Sequence, residues 1–291
     1  METTTAKTSG QKDVYAIIND RVIELLEKGI VPWRVPWYAA GIPANLMTRK
    51  PYRGINSALL ASLGYEHNIF VTENQLGEIG GSIKANEKPH MIARWNYKDG
   101  EDDKKGGTLS YYRVYNVAQC AGISADLLFG PHLELFPLDA CESIVGHMPH
   151  CPAIKSKEQI AYYDPVTDVV NMPKKTAFND PESYFAMLFH QLLHSTGHYT
   201  RLDRMGLIQM AECGYQSPSL EELVAEIGTG HLLSLTGIAD KVEQDGISAS
   251  GWLGYLQKNR YIIFNAFSLA LKAIDFILDT ESDVEDKQKE E

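Results

Sequence analysis

Apolar positions Val14, Ile17, Ile18, Val22, Leu25 and Leu26 keep helical spacing through "DVYAIINDRVIELLEKGI" and predict a helix that stops at Gly29. The next stretch, "VPWRVPWYAAGIPANLMTRKPYRGINSALLASLGY", is interrupted by proline and glycine until "INSALLASLGY", which predicts a second helix. "MIARWNY" and "TLSYYRVYNV" read as two strands, and the polar connector "KDGEDDKKGG" makes them a hairpin with a long charged loop. Further on, "QIAYYDPVTDVVNMP" predicts another hairpin that turns at "DPVTD". "DPESYFAMLFHQLLHSTG" predicts a helix with Asp180 as N-cap, Pro181 in the first helical position and Gly197 as its stop. Another helix is expected from Pro218 to Leu235. "WLGYLQKNRYIIFNAFSLALKAIDFIL" reads as a single long core helix.

Strands beside helices in each half indicate an α+β protein. The 291 residues divide into a disordered Thr/Ser/Lys-rich start (1–11), a first domain (12–125), a connector (126–144), a second, mainly helical domain with a small sheet (145–280) and a charged tail (281–291). The connector "GISADLLFGPHLELFPLDA" is less polar than a flexible linker, so the halves are expected to pack together. The net charge of −11 is uneven: residues 1–125 carry 15 Lys+Arg against 13 Asp+Glu, and residues 126–291 carry 12 against 25. The acidic half is a poor binder of polyanions; the first half is a better one. No apolar run spans a bilayer and the first residues lack a signal-peptide pattern, so no membrane partner is expected. Four scattered cysteines without a CxxC pair fit a reducing cytoplasm.

The stretch "FHQLLHSTGH" carries the chemistry. His190, His194 and His198 sit four apart. Side chains at i and i+4 of a helix lie one above the other, so His190 and His194 can converge on one zinc ion. His198 follows the helix stop and cannot reach the same ion from an unbroken helix. A third ligand is available in "SLEELVAEIGTGHLL", where Glu222 is favoured as ligand and Glu226 as its support or as the alternative ligand. The residue after the first histidine should be a glutamate that activates metal-bound water. It is Gln191. A rival cluster, Cys141, His147, His150 and Cys151 in "CESIVGHMPHC", matches no common zinc spacing.

In the first half no acidic residue lies between Glu27 and Glu66, whereas Lys28, Arg34, Arg49, Lys50 and Arg53 do, among Trp33, Trp37, Tyr38 and Tyr52. Cations for phosphates with aromatic faces for bases suit single-stranded nucleic acid. Lys84, Lys88, Arg94, Trp95 and Arg113 extend the set. The competing reading is a loop whose tryptophans anchor it to the core.

"DPVTDVVNMPKKTAFNDPESYFAMLFHQLLHSTGHYTRLDR" with "EELVAEIG" resembles the zincin-like metallopeptidase domain of ArdC-type antirestriction proteins. "GIVPWRVPW", "RKPYRGINSALL", "GGSIKANEKP" and "YRVYNVAQ" resemble the single-stranded-DNA-binding domain of the same family. The resemblance runs in one order over most of residues 12–280. It implies plasmid or mobile-element biology, protection of incoming DNA from restriction, a zinc site to which His190 and His194 carry over as ligands, and single-stranded DNA as a partner. A restriction enzyme or another protein substrate is a further implied partner. The family pattern is His-Glu-x-x-His, so Gln191 is a departure. Glutamine leaves metal binding possible but cannot take the proton, and hydrolysis should fall by orders of magnitude. Two readings of Gln191 stand: an inactivating substitution that traps substrate, or a natural zinc-bearing scaffold. The alternative from another class is a non-enzymatic DNA-binding or protein-interaction protein with a structural zinc.

Overall fold

Helix α1 (Val14–Glu27) ends where glycine allows it. Gly29 takes φ 77, and the Gly29 and Ile30 amides close back onto the carbonyls of Leu26 and Leu25 at 2.9 Å each. In this computed structural model, residues 14–37, 40–96, 108–127, 137–204, 218–242, 246–258 and 261–280 are described. The expected disordered start and charged tail, the charged hairpin loop, Tyr38 and Cys213 lie outside those residues.

The first half builds a four-stranded sheet in the order β1 (Ala44–Asn45), β2 (Ile69–Val71), β5 (Thr108–Asn116), β4 (His90–Asn96). The expected hairpin is present: β4 and β5 are antiparallel from His90 opposite Val114 to Asn96 opposite Thr108. Helix α2 (Ile55–Ala61) is the second expected helix. α3 (Glu73–Glu78) starts at a capping box, with Thr72 accepting from the Gln75 amide and the Gln75 side chain accepting from the Thr72 amide. Strands β3 (Ser82–Ile83) and β6 (Cys120–Ala121) pair separately.

In the second half α4 (Pro137–His147) begins inside the segment read as connector. Strands β7 (Ala153–Lys155), β8 (Tyr162–Asp164) and β9 (Val169–Asn171) form a sheet in the order β7-β9-β8, with β8 and β9 as the expected hairpin. Helices α5 (Pro181–Ser195), α6 (Leu220–Thr236), α7 (Ala249–Lys258) and α8 (Ile262–Ile277) follow. The single last helix expected from the apolar run is two helices. They serve different neighbours, since α7 packs on α1 and α8 packs on α6, and one straight rod cannot do both.

The architecture is α+β, and its main core crosses the boundary between the halves. Val14, Ile18, Val22, Leu25, Leu26 and Trp33 pack with Leu223, Val224, Ile227, Trp252, Leu256, Ile263 and Phe267 in one cluster. A second cluster belongs to the second half and joins Phe185, Leu188, Phe189, Leu192 and Leu193 of α5 to Leu232 and Leu233 of α6, Ile274 and Ile277 of α8, and Tyr163 and Val170 of the small sheet. The first half therefore completes the burial of α6. No helix among the described residues is long and apolar enough to cross a membrane.

Candidate metal centre

Helix α5 forms for local reasons. Asp180 accepts a hydrogen bond from the Ser183 amide at 2.6 Å, Pro181 supplies a residue whose missing N–H costs nothing in the first turn, and Tyr184, Phe185, Leu188, Phe189 and Leu192 give it a face to bury. Helix α6 starts at Ser219, whose hydroxyl accepts from the Glu222 amide at 3.1 Å. Every residue from Glu221 to Gly228 of α6 is buried, three glutamates among them. A buried carboxylate costs several kcal/mol unless it is paired, so each of the three must have a specific partner. The partners differ, and they assign the roles.

Glu222 faces the two histidines. His190 Nε2 lies 3.1 Å from His194 Nε2 and 3.2 Å from Glu222 Oε1, and His194 Nε2 lies 3.5 Å from Glu222 Oε2. A tetrahedron with bonds of about 2.05 Å has edges of roughly 3.3 Å, so all three separations suit ligands of one ion. Among the described residues this is the one group of three or more His, Cys, Asp or Glu side chains able to hold a metal. Glu222 Oε2 is buried with no hydrogen-bond partner, an orphan that a cation would satisfy. Two nitrogens and one oxygen leave a fourth position open, the donor set of a catalytic rather than a structural site. The residues fit a divalent ion.

Glu221 holds His194 from behind. Its Oε1 is 3.4 Å from His194 Nδ1, leaving Nε2 to face the site. Arg204 fixes Glu221 by a fork, Nε to Oε2 at 2.9 Å and Nη2 to Oε1 at 2.6 Å. It also donates to Thr196 Oγ1 at 2.6 Å and to the Leu193 carbonyl at 2.8 Å. Burial opposes a charge on His194, but the Glu221 and Glu222 carboxylates outweigh it and lift its pKa to about 9. Burial likewise opposes charge on Glu221 and Glu222; Arg204 holds the Glu221 carboxyl below its usual range, and His190 and His194 do the same for Glu222. The site is built to hold positive charge. Sequence reasoning missed Glu221 and Arg204, because three glutamates within six residues give no sign of which one faces the histidines.

Glu226, expected as support or alternative ligand, is bound by groups outside the histidine cluster. It accepts from Trp33 Nε1 at 3.1 Å, Arg34 Nη2 at 2.6 Å, Trp252 Nε1 at 3.1 Å and the Ile247 amide at 3.0 Å. Its lone pairs are taken by the first half, by α7 and by the chain before α7. Gln191 is 4% exposed, and its Oε1 is buried with no hydrogen-bond partner. His198 lies past the end of α5, turns its Nδ1 to Thr200 Oγ1 at 2.8 Å and does not join the cluster. The rival cluster does not assemble: Cys141 is fully buried, and His147 Nδ1 contacts the Ser143 carbonyl at 2.8 Å.

The residues expected to meet nucleic acid divide in two. Trp33 and Trp37 are buried, Trp33 against Trp252 and Phe267 and Trp37 against His231, so neither offers a ring face to a base. Arg34 is bound to Glu226 and to the Ile247 carbonyl, and Arg53 is ion-paired with Asp275. Tyr52 packs edge-on to Phe70 and its hydroxyl accepts from Asn45. Arg49, Lys50, Lys84 and Arg113 remain at the surface; Arg49 donates to the Leu127 carbonyl and Lys84 to the Ala118 carbonyl, both at 2.8 Å. Aromatic and basic residues interleave in an anchoring loop as they do in a nucleic-acid surface, and here Trp33 to Trp37 is the anchor.

Comparison with known proteins places these features. Residues 12–117 match the N-terminal domain of the anti-restriction factor ArdC, and residues 148–269 match the zincin-like metallopeptidase family. The crystal structure of the antirestriction protein ArdC from plasmid R388 in its metal-free form aligns with a TM-score of 0.73 and 30% identity, covering 92% of this chain and 97% of that one. Its Mn(II)-bound form aligns with the same TM-score and identity over 94% and 100%. The uncharacterized protein y4eC of Sinorhizobium fredii is 26% identical over 295 residues, 94% of each chain. A DNA primase TraC of Escherichia coli is 28% identical over 300 residues, and there the alignment covers 92% of this chain but 27% of the primase. Two domain matches along the chain, with a 30% identical alignment that covers nearly all of both chains, settle the family: the chain belongs to the ArdC-type antirestriction proteins, with an ArdC N-terminal domain followed by a zincin-like domain.

Proposed function

We propose that this protein binds single-stranded DNA through its first half and holds zinc at His190, His194 and Glu222 in its second, acting in antirestriction with a site that binds more readily than it cleaves. The observation that carries the reading is the buried two-histidine, one-carboxylate cluster with its orphaned Glu222 oxygen. A divalent ion bound there supplies Lewis acidity to an oxygen of water or of a peptide carbonyl. The chain's own groups do the rest. Glu221, locked by Arg204, orients His194 and fixes which nitrogen faces inward. Gln191 stands beside His190 where the family carries glutamate. A glutamine amide can hydrogen-bond an oxygen but cannot take up a proton and return it to a leaving amine. DNA contact falls to the exposed cations Arg49, Lys50, Lys84 and Arg113, because the buried tryptophans are committed elsewhere.

The test is metal content by elemental analysis of protein purified without chelator, beside a His194→Ala variant. About one zinc per chain, lost in the variant, supports the site; a metal-free parent that takes up none on titration sinks it. Gln191→Glu should then create metal-dependent peptide hydrolysis, with a gain of roughly 10²–10⁴ for a restored general base. A revertant inert against a broad peptide library would favour a metal-bearing scaffold. Oligonucleotide affinity should fall steeply with salt as phosphates are neutralised, and salt-insensitive binding would count against the first-half assignment.

A further inference from the structure

Glu222, Glu226 and Gly230 are spaced by four and form one stripe along α6. At one end the stripe carries the proposed metal ligand. One turn on, Glu226 binds Arg34 and Trp33 of the first half. A further turn on, Gly230 takes the Trp33 backbone: a Cβ at that position would overlap the Trp33 carbonyl oxygen. The Arg34 guanidinium bridges Glu226 Oε2 to the Ile247 carbonyl, and the Ile247 amide returns to Glu226 Oε1, so one carboxylate joins the first half, α6 and the chain entering α7. Gly246 makes this closeness possible, since a Cβ there would collide with both Arg34 and Glu226.

From this stripe we infer that Arg34, with Trp33, is a positioning residue of the metal centre: by locking Glu226 it fixes the rotation and height of the α6 turn that presents Glu222. The inference rests on the metal site proposed above. It assigns to the metal centre a segment whose composition points to DNA. It also makes the first half part of that centre, so the zincin-like fold on its own lacks one wall of its ligand helix. Asp275 of α8 supplies a built-in comparison. Its ion pair with Arg53 also ties the two halves together, and the hydrogen bonds and ion pairs of Glu222 and Glu226 involve neither residue.

The experiment uses the full chain with Arg34→Met and Arg53→Met, each checked for folding by circular dichroism and titrated with zinc against a chromophoric chelator. Oligonucleotide binding is measured in parallel. Arg34→Met should weaken zinc binding about tenfold, the scale of a lost outer-shell contact, and leave oligonucleotide affinity within about twofold. Arg53→Met should lower thermal stability and leave zinc affinity unchanged. Glu226→Gln, which keeps an acceptor for the two indoles but loses the charge, should fall between parent and Arg34→Met. Equal zinc loss in Arg34→Met and Arg53→Met would reduce the effect to general loosening between halves and overturn the inference. Unchanged zinc affinity in a folded Arg34→Met would do the same, and so would a selective loss of oligonucleotide binding. If the parent itself binds no zinc, the metal reading fails first, and the two failures stay distinct.

Discussion

Removing Arg204 isolates the energetics of the buried relay behind His194. Arg204 is 8% exposed and Glu221 3% exposed, and the guanidinium gives two bonds to the Glu221 carboxylate, one to Thr196 and one to the Leu193 carbonyl. Arg204→Met keeps most of the volume but leaves Glu221 as a buried charge beside Glu222. Breaking one side of a buried pair costs about 3–5 kcal/mol, a large share of a typical stability of about 5–15 kcal/mol. At roughly 2–4 °C per kcal/mol for a chain of this order of size, the melting temperature should drop by about 10 °C. The double variant Arg204→Met/Glu221→Gln should recover at least about 1 kcal/mol, because the uncompensated charge is gone. Urea unfolding of the four proteins in chelator, with no metal to mask the difference, completes the cycle. A loss below about 1 kcal/mol in Arg204→Met, or no coupling in the cycle, would refute the relay.

Two further predictions concern α6. Gly230→Ala should destabilise the protein by about 1–3 kcal/mol or more, because its Cβ meets the fixed Trp33 backbone, whereas Gly228→Ala meets only the flexible end of Leu193 and should cost less; equal losses by thermal melting would contradict the packing. His231 packs against Trp37, and burial, with the Arg53 charge second, pushes its pKa down to about 4. Between pH 6.5 and 4 the unfolded imidazole therefore binds more protons than the folded one, so this contribution is complete above 6.5 and is lost as pH falls through 4. His231→Gln should flatten the acid limb of the urea midpoint against pH over that window, and an unchanged limb would assign the acid sensitivity to other groups.

What could be read from the sequence was what depends on neighbours in the chain. Helix α5, with Asp180 capping it and Pro181 opening it, and the pair His190 and His194 follow from four-residue spacing, because a helix brings i and i+4 together wherever it sits. The β4–β5 hairpin was legible for the same reason: its two strands are joined directly. The break between α7 and α8 was not, because the apolar run is continuous and each helix answers to a different distant partner. The three glutamates of α6 mark the limit most sharply. Local pattern puts Glu221, Glu222 and Glu226 on one short helical stretch, but their roles are set by Arg204, by the histidines of α5, and by Trp33 and Trp252, with Trp33 as far as 193 residues away in sequence. The same distance hid the role of Trp33 and Arg34. An indole N–H and a guanidinium suit a buried carboxylate as well as they suit a nucleotide, and composition cannot choose between them. Only Gly230, the one position in that stripe able to admit the Trp33 carbonyl, points from the sequence of α6 toward the partner it receives.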